Sequence, residues 1–193
     1  MNGIGRKLVG QWNTKTVVGV ALGAILMAIM MVYIQIPIFT QVQFSLAPVV
    51  IVIVGALFGP LPAAIAACFG NFLADMIGGW GFWFDWTIGH FFCGFITGLL
   101  PVYGARVGEG VFTNKQAATF AVLAFVAPLI AFCGITPLFT MMWYQGELEI
   151  GMVQGVIAGV KDGLMAAIIG VPLLKMMAKK NRSKPISRRN NPT

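Results

Sequence analysis

Charged residues are scarce in this chain: they make up 10% of its 193 positions, against roughly 25% in soluble globular proteins. With 58% of the residues hydrophobic, too little polar material remains to coat a water-soluble fold, and a soluble enzyme or binding module is excluded. Histidine is reduced to His90, so a histidine-rich metal site is ruled out and no metal ligand set is assigned. There is no Gly-x-x-x-x-Gly-Lys-Ser/Thr phosphate loop; the stretch 155–162 has glycines and a lysine at the wrong spacing, and the chain lacks a means of hydrolysing ATP by itself. Neither a His-Glu-x-x-His zinc motif nor a Gly-x-Ser-x-Gly elbow occurs, so no catalytic residue is assigned and the chain is expected not to be an enzyme. The three cysteines, Cys68, Cys93 and Cys133, are odd in number and lie in apolar stretches, which argues against a disulfide framework and for packing roles. A small-x-small cleavage pattern is missing after Tyr33, so the basic-then-apolar start reads as a first membrane span and not a signal peptide.

What the chain has in quantity is apolar runs. A bilayer core about 30 Å thick takes roughly 20 apolar residues per helix, so this length holds about six short-looped spans. Breaking the runs at Pro, Gly and polar clusters places them at 17–36, 44–58, 61–77, 86–105, 117–143 and 150–177. The expected fold is therefore all-α and polytopic: one six-helix transmembrane domain over 1–178, with no room for a second, and a basic tail over 179–193 containing Pro185 and Pro192, expected to be disordered.

The net charge of +7 would raise nucleic acid in a soluble protein, but here it reports topology. No Lys or Arg lies between Lys15 and Arg106, or between Lys115 and Lys161. The cations fall at the N-terminus, at 106–115 and in the tail, the places an even helix count puts in the cytoplasm under the positive-inside rule. Asp75, Asp85, Glu147 and Glu149 fall on the other side. Both termini are expected in the cytoplasm, the chain in the plasma membrane, and the partners to be lipid and a solute with no nucleic acid. Trp80, Trp83 and Trp86 after the third span, and Trp143 and Tyr144 at the end of the fifth, suit an interface.

Lys161 is the most informative single residue. It sits about 16 Å along the last span, near mid-membrane, where a lysine costs roughly 2.5–3.5 kcal/mol on insertion scales and must face protein or a wet cavity. It either contacts a ligand or pairs structurally with Asp162 or another carboxylate. Gln154, seven residues earlier, shares almost the same face and would extend a polar stripe to the outer mouth. Gly151, Gly155, Gly159 and Gly163 recur every four residues on the reverse face, a seam along which another helix approaches closely. Asn71 and Asp75 are four apart on the third span, and His90 lies about one turn inside the fourth; all three could converge on an outward-facing cavity. Against that, His90 alone reads as a packing histidine, and Asp75 and Asp85, near the interface, as solvated. The run 80–86 has five aromatics in seven residues: either headgroup anchors or, through Trp83 and Trp86, a stacking wall for a flat ligand. Ala21, Ala24 and Ala28 form a small-residue stripe on the first span that packs either within the bundle or against a partner.

Ala47-Pro-Val-Val, Gly55-Ala-Leu-Phe-Gly-Pro-Leu-Pro-Ala-Ala and Gly70-Asn-Phe-Leu-Ala-Asp-Met-Ile-Gly-Gly79 resemble the second and third helices of the substrate-binding S components of energy-coupling factor (ECF) vitamin transporters. Val153-Gln-Gly-Val through Ile169-Gly-Val-Pro-Leu-Leu-Lys175 is similar to the last helix of the riboflavin-type branch. The resemblance covers most of the chain, with the fifth span matching least. It implies a subunit that binds a small water-soluble vitamin or precursor, riboflavin-like or another flat heteroaromatic. It also implies a membrane coupling subunit and two cytoplasmic ATPases that alone use ATP, with no prosthetic cofactor here. That family's partner contact is an Ala-x-x-x-Ala motif, which Ala24-Ile-Leu-Met-Ala28 matches. The expected ligand contacts are then Lys161 and Gln154, with Asn71, Asp75, His90, Trp83 and Trp86 beside them. One rival is a stand-alone ion-coupled secondary transporter using Lys161 and Asp162 as a relay. A scaffold, or a membrane enzyme built on His90, is the other.

Overall fold

The structure, a computed structural model, describes residues 3–39, 42–145 and 147–183. A short helix α1 (Gly3–Val9) leads into α2 (Thr14–Val32), whose first turn is capped by Asn13 accepting from the Thr16 amide at 2.9 Å. An antiparallel hairpin follows, β1 (Gln35–Phe39) against β2 (Val42–Ser45), and then α3 (Ala47–Phe58). Gly59, at φ +98°, turns the chain into α4 (Pro60–Gly78), which ends on Gly79 at φ +69°; both angles lie where a side chain is strained. After α5 (Phe84–Thr97) and a 3₁₀ turn (Val107–Glu109) come α6 (Asn114–Leu129), a π-helical turn (Ile130–Ile135) and α7 (Thr136–Tyr144), which run on as one rod. The chain closes with α8 (Leu148–Ile168) and α9 (Gly170–Arg182), joined at a bend where Pro172 has no N–H to offer the Ile168 carbonyl.

Six membrane-crossing segments result: α2, α3, α4, α5, the α6–α7 rod and α8–α9. Four of these are long and apolar enough to span by themselves, Thr14–Val32, Pro60–Gly78, Asn114–Tyr144 and Leu148–Arg182. The 12 residues of α3 and the 14 of α5 rise only about 18 and 21 Å; the hairpin precedes α3 and the Trp80–Trp83 segment precedes α5. The rows of exposed apolar side chains on α2, among them Val17, Leu22, Ile25 and Ile29, are what lipid requires of an outer face.

Four expected boundaries need correction. The first span stops at Val32 and the second starts at Ala47, because the intervening alternation pairs as strands. The fourth ends at Thr97, eight residues early, and the chain turns there. The last helix carries on to Arg182, past the expected start of the tail; residues 184–193 lie outside those described. In the fifth span the irregularity is the π turn, flanked by Pro128 and Pro137. Each proline removes one rung of the i→i−4 ladder, and the wider π turn between them absorbs the mismatch.

Helices within lipid are held by close packing more than by water exclusion. The glycine seam of α8 supplies it: a Cβ at Gly155 would stand 2.0 Å from the Phe132 carbonyl oxygen, one at Gly159 3.0 Å from Leu129 and one at Gly163 2.9 Å from Phe125. The expected helix therefore does pack along this seam, and it is the α6–α7 rod. The ends segregate as the charge pattern requires. Gly10 lies against Phe58, Lys175 Nζ donates to Asn114 Oδ1 at 3.0 Å, and Asn181 Nδ2 donates to the Val107 carbonyl at 3.1 Å, so the N-terminus, the Gly59 turn, the 3₁₀ turn and α9 share the basic end. The hairpin, the Trp segment and the α7–α8 connection share the other.

Candidate functional site

A cavity of about 390 Å³ opens in the half of the bundle away from the basic end, a volume within the range of small-molecule sites. The hairpin supplies Gln35, Pro37 and Phe39 from one strand and Val42, Gln43 and Ser45 from the other; α2 to α6, the segment between α4 and α5, the π turn and α8 supply the rest. Alternation along β1 sets this up: Gln35, Pro37 and Phe39 line the cavity while Ile36 and Ile38 are exposed.

Asn71 and Asp75 sit one turn apart on α4 and face the cavity. Asn71 Nδ2 donates to Asp75 Oδ2 at 3.1 Å and to Thr87 Oγ1 at 3.0 Å, and Thr87 in turn donates to the Trp83 carbonyl at 3.1 Å. The Trp83 amide donates to the same Asp75 oxygen at 3.2 Å. One oxygen of Asp75 is thus fixed by two donors, and the start of α5 is tied to α4. Asp75 is 5% exposed and Asp85 is fully buried, so neither is solvated as the interface reading had it. Asp85 lies away from the cavity, hydrogen-bonded by Thr140 of α7, and Thr136 donates to its carbonyl at 3.4 Å.

Aromatic rings form the next wall. Trp80, Trp83 and Trp86 all reach the cavity. Trp83 is held by Nε1 donating to the Trp80 carbonyl at 3.0 Å and by packing on Tyr144, centroids 5.3 Å apart. Trp86 packs on Phe132 at 5.4 Å, and His90 lies 4.9 Å from the same ring. His90 Nδ1 stands 2.9 Å from the Trp86 carbonyl; a carbonyl only accepts, so Nδ1 carries the proton and Nε2 is left as an acceptor.

On α8 the lining runs from Ala158 through Lys161 and Asp162 to Ala166. Lys161 Nζ lies 2.5 Å from Asp162 Oδ1 with both side chains mostly buried, so the mid-membrane lysine is paired with its neighbour and borders the cavity as well. Gln154 shares the face of Lys161 and is 8% exposed, but seven residues place it about 10 Å further out, beyond the part of α8 that lines the cavity. The polar stripe expected to reach the mouth is a single polar step at depth.

The alanine stripe resolves toward the bundle. Ala24 and Ala28 are 3% and 1% exposed, packed inside the chain, and only Ala21 of the three is exposed. A motif so covered offers no surface for a partner in this structure. Among the described residues no group of three His, Cys, Asp or Glu is placed to hold a metal ion. Sequence reasoning missed Gln35, Ser45, Trp80 and Phe132. For the hairpin a signal existed, the period-two pattern of 35–39, hidden by ending the first span at 36 and leaving 37–43 as a connection.

A family profile described as ECF-type riboflavin transporter, S component matches residues 11–179. A UPF0397 protein of Streptococcus pneumoniae (strain Hungary19A-6) is 31% identical over 166 residues, 85% of this chain and 90% of that one. A UPF0397 protein of Aliivibrio fischeri (strain MJ11) is 30% identical over 172 residues, 88% and 93% of the two chains. The crystal structure of FolT bound with folic acid superposes with a TM-score of 0.56 at 15% identity, covering 94% of this chain and 98% of that one; the likeness is one of fold.

Proposed function

The chain belongs to the family of ECF-type riboflavin transporter S components, transporter subunits and not enzymes, and from that premise we propose that it captures a small water-soluble vitamin or precursor with a flat heteroaromatic ring. The carrying observation is the cavity, in which a buried, donor-fixed Asp75 faces a wall of three tryptophans. Asn71, Asp75, His90 and Lys161 are the polar contacts, and Trp83 and Trp86 the stacking surface. Such a layout suits a ring system with a polar edge: aromatic faces supply area, and a few fixed polar groups set orientation.

Transport then needs energy from elsewhere, because the chain has no phosphate loop. A membrane coupling subunit and two cytoplasmic ATPases supply it, docking from the basic end in the plasma membrane, and ATP is used only by them; no prosthetic group takes part.

The test is native mass spectrometry of the purified full chain, with tryptophan-fluorescence titration against a panel of vitamins. A vitamin-sized molecule retained, or submicromolar binding of one panel member, is the expected result. Absence of both would overturn the reading. Uptake in cells that persists after removal of every ATPase partner would instead favour an ion-coupled carrier built on the Lys161–Asp162 pair.

A further inference from the structure

We infer that the ligand carries a positive charge on or beside its ring, and that Asp75 is its counter-charge. This rests on the reading of the cavity as a solute site and names the class of solute.

Three side chains with full formal charges line the cavity: Asp75, Lys161 and Asp162. Lys161 and Asp162 stand 2.5 Å apart and cancel. Asp75 receives hydrogen bonds from an amide side chain, Asn71, and a backbone amide, Trp83, both neutral. Apart from Lys161, which Asp162 already holds, no lysine or arginine lies on the segments around it, since the sequence has none from 16 to 105 and none from 116 to 160. The cavity lining thus carries one carboxylate without a counter-ion among the described residues. A carboxylate withdrawn from water is costly unless an opposite charge meets it.

Other groups at the site also ask for a donor. Gln35 Oε1 is buried, borders the cavity and has no hydrogen-bond partner among the described residues. His90 spends its Nδ1 proton on the Trp86 carbonyl and turns an acceptor nitrogen elsewhere. The faces of Trp80, Trp83 and Trp86 attract cations through their ring quadrupoles. At the same end of the bundle, at the start of α8, exposed Glu147 and Glu149 are carboxylates with no basic residue on that side, so the approach favours cations too. An anionic vitamin would meet repulsion at each stage, and an uncharged ring would leave Asp75 uncompensated.

The experiment titrates the full chain in lipid nanodiscs, following tryptophan fluorescence, with thiamine as a heteroaromatic cation and riboflavin as an uncharged ring. 1-Methylnicotinamide and nicotinamide serve as a pair differing by one methyl group and one charge. The cation of each pair is expected to bind about tenfold or more tighter than its uncharged counterpart. Asp75→Asn should weaken the cation by roughly ten- to hundredfold, the worth of a hydrogen bond to a charged group, and bring the pair toward equality. The comparison of ligands on the unaltered chain stands even where that variant fails to fold. Tight binding of riboflavin or nicotinamide with no preference for the cations overturns the charge inference and leaves the binding-subunit reading intact. If no probe and no other vitamin binds, that reading falls and the inference with it.

Discussion

At the scale of single residues, the decisive fact is which charges are matched. Lys161 and Asp162 are adjacent in sequence yet touch, each supplying what the other needs away from water. Removing one partner strands the other; removing both leaves an apolar step on α8. Lys161→Ala is therefore expected to lose roughly 3–5 kcal/mol of stability, and the double variant Lys161→Ala with Asp162→Ala to recover most of it. Thermal unfolding of the three proteins in one detergent checks this. A single variant as stable as the parent would mean that the pair is solvated. The lysine's depth was legible in the sequence and Asp162 was one of the partners it offered, but the choice among a ligand, Asp162 and another carboxylate was not, because helix periodicity says nothing about a flexible side chain folding back on its neighbour.

Among the elements, the α6–α7 rod and α8 show how close packing builds the cavity wall. Phe132 lies in the π turn, and its carbonyl rests where a Cβ of residue 155 would be. Gly155→Ala must push α8 away from the π turn, moving Phe132 off Trp86 and His90. It is expected to destabilise by about 1–3 kcal/mol, the range for overpacking, and to weaken binding. Gly151→Ala is the control: its nearest neighbour is Pro137 Cβ at 3.7 Å, ordinary contact, and the gain in helix propensity of up to about 1 kcal/mol should leave it as stable as the parent or more so. Thermal melts and vitamin titration of both variants separate the two effects, and equal behaviour would disprove the tight approach. The four-residue glycine spacing announced this seam, but the π turn opposite it was not announced, since its cause is two prolines nine residues apart acting on one helix. The hairpin is the larger omission. The expected spans run over 35–36 and 44–45, and only pairing between the strands 35–39 and 42–45 shows that these segments wall the cavity instead.

For the whole molecule, the basic end and the acidic end fix an orientation that can be read out directly. A fluorescent protein fused after the last residue should fluoresce as a cytoplasmic fusion does. Alkaline phosphatase inserted at Gln145 should be active and the same insertion at Gly108 inactive; the opposite pattern would invert the topology and put the cavity on the cytoplasmic face.

Composition and charge spacing by themselves determined that this is a six-span membrane protein with its cations gathered at one end, because a bilayer imposes length and polarity on each segment separately. The sequence also nominated Asn71, Asp75, His90, Trp83, Trp86 and Lys161 as candidate contacts, of which only Lys161 was one that lipid would not tolerate without a reason. Only the tertiary structure decided that these six meet around one cavity, that Gln154 lies outside it, and that Ala24 and Ala28 face inward. Each of those outcomes depends on the rotation and depth of one helix against another, and those are set by side-chain packing between segments distant in the chain.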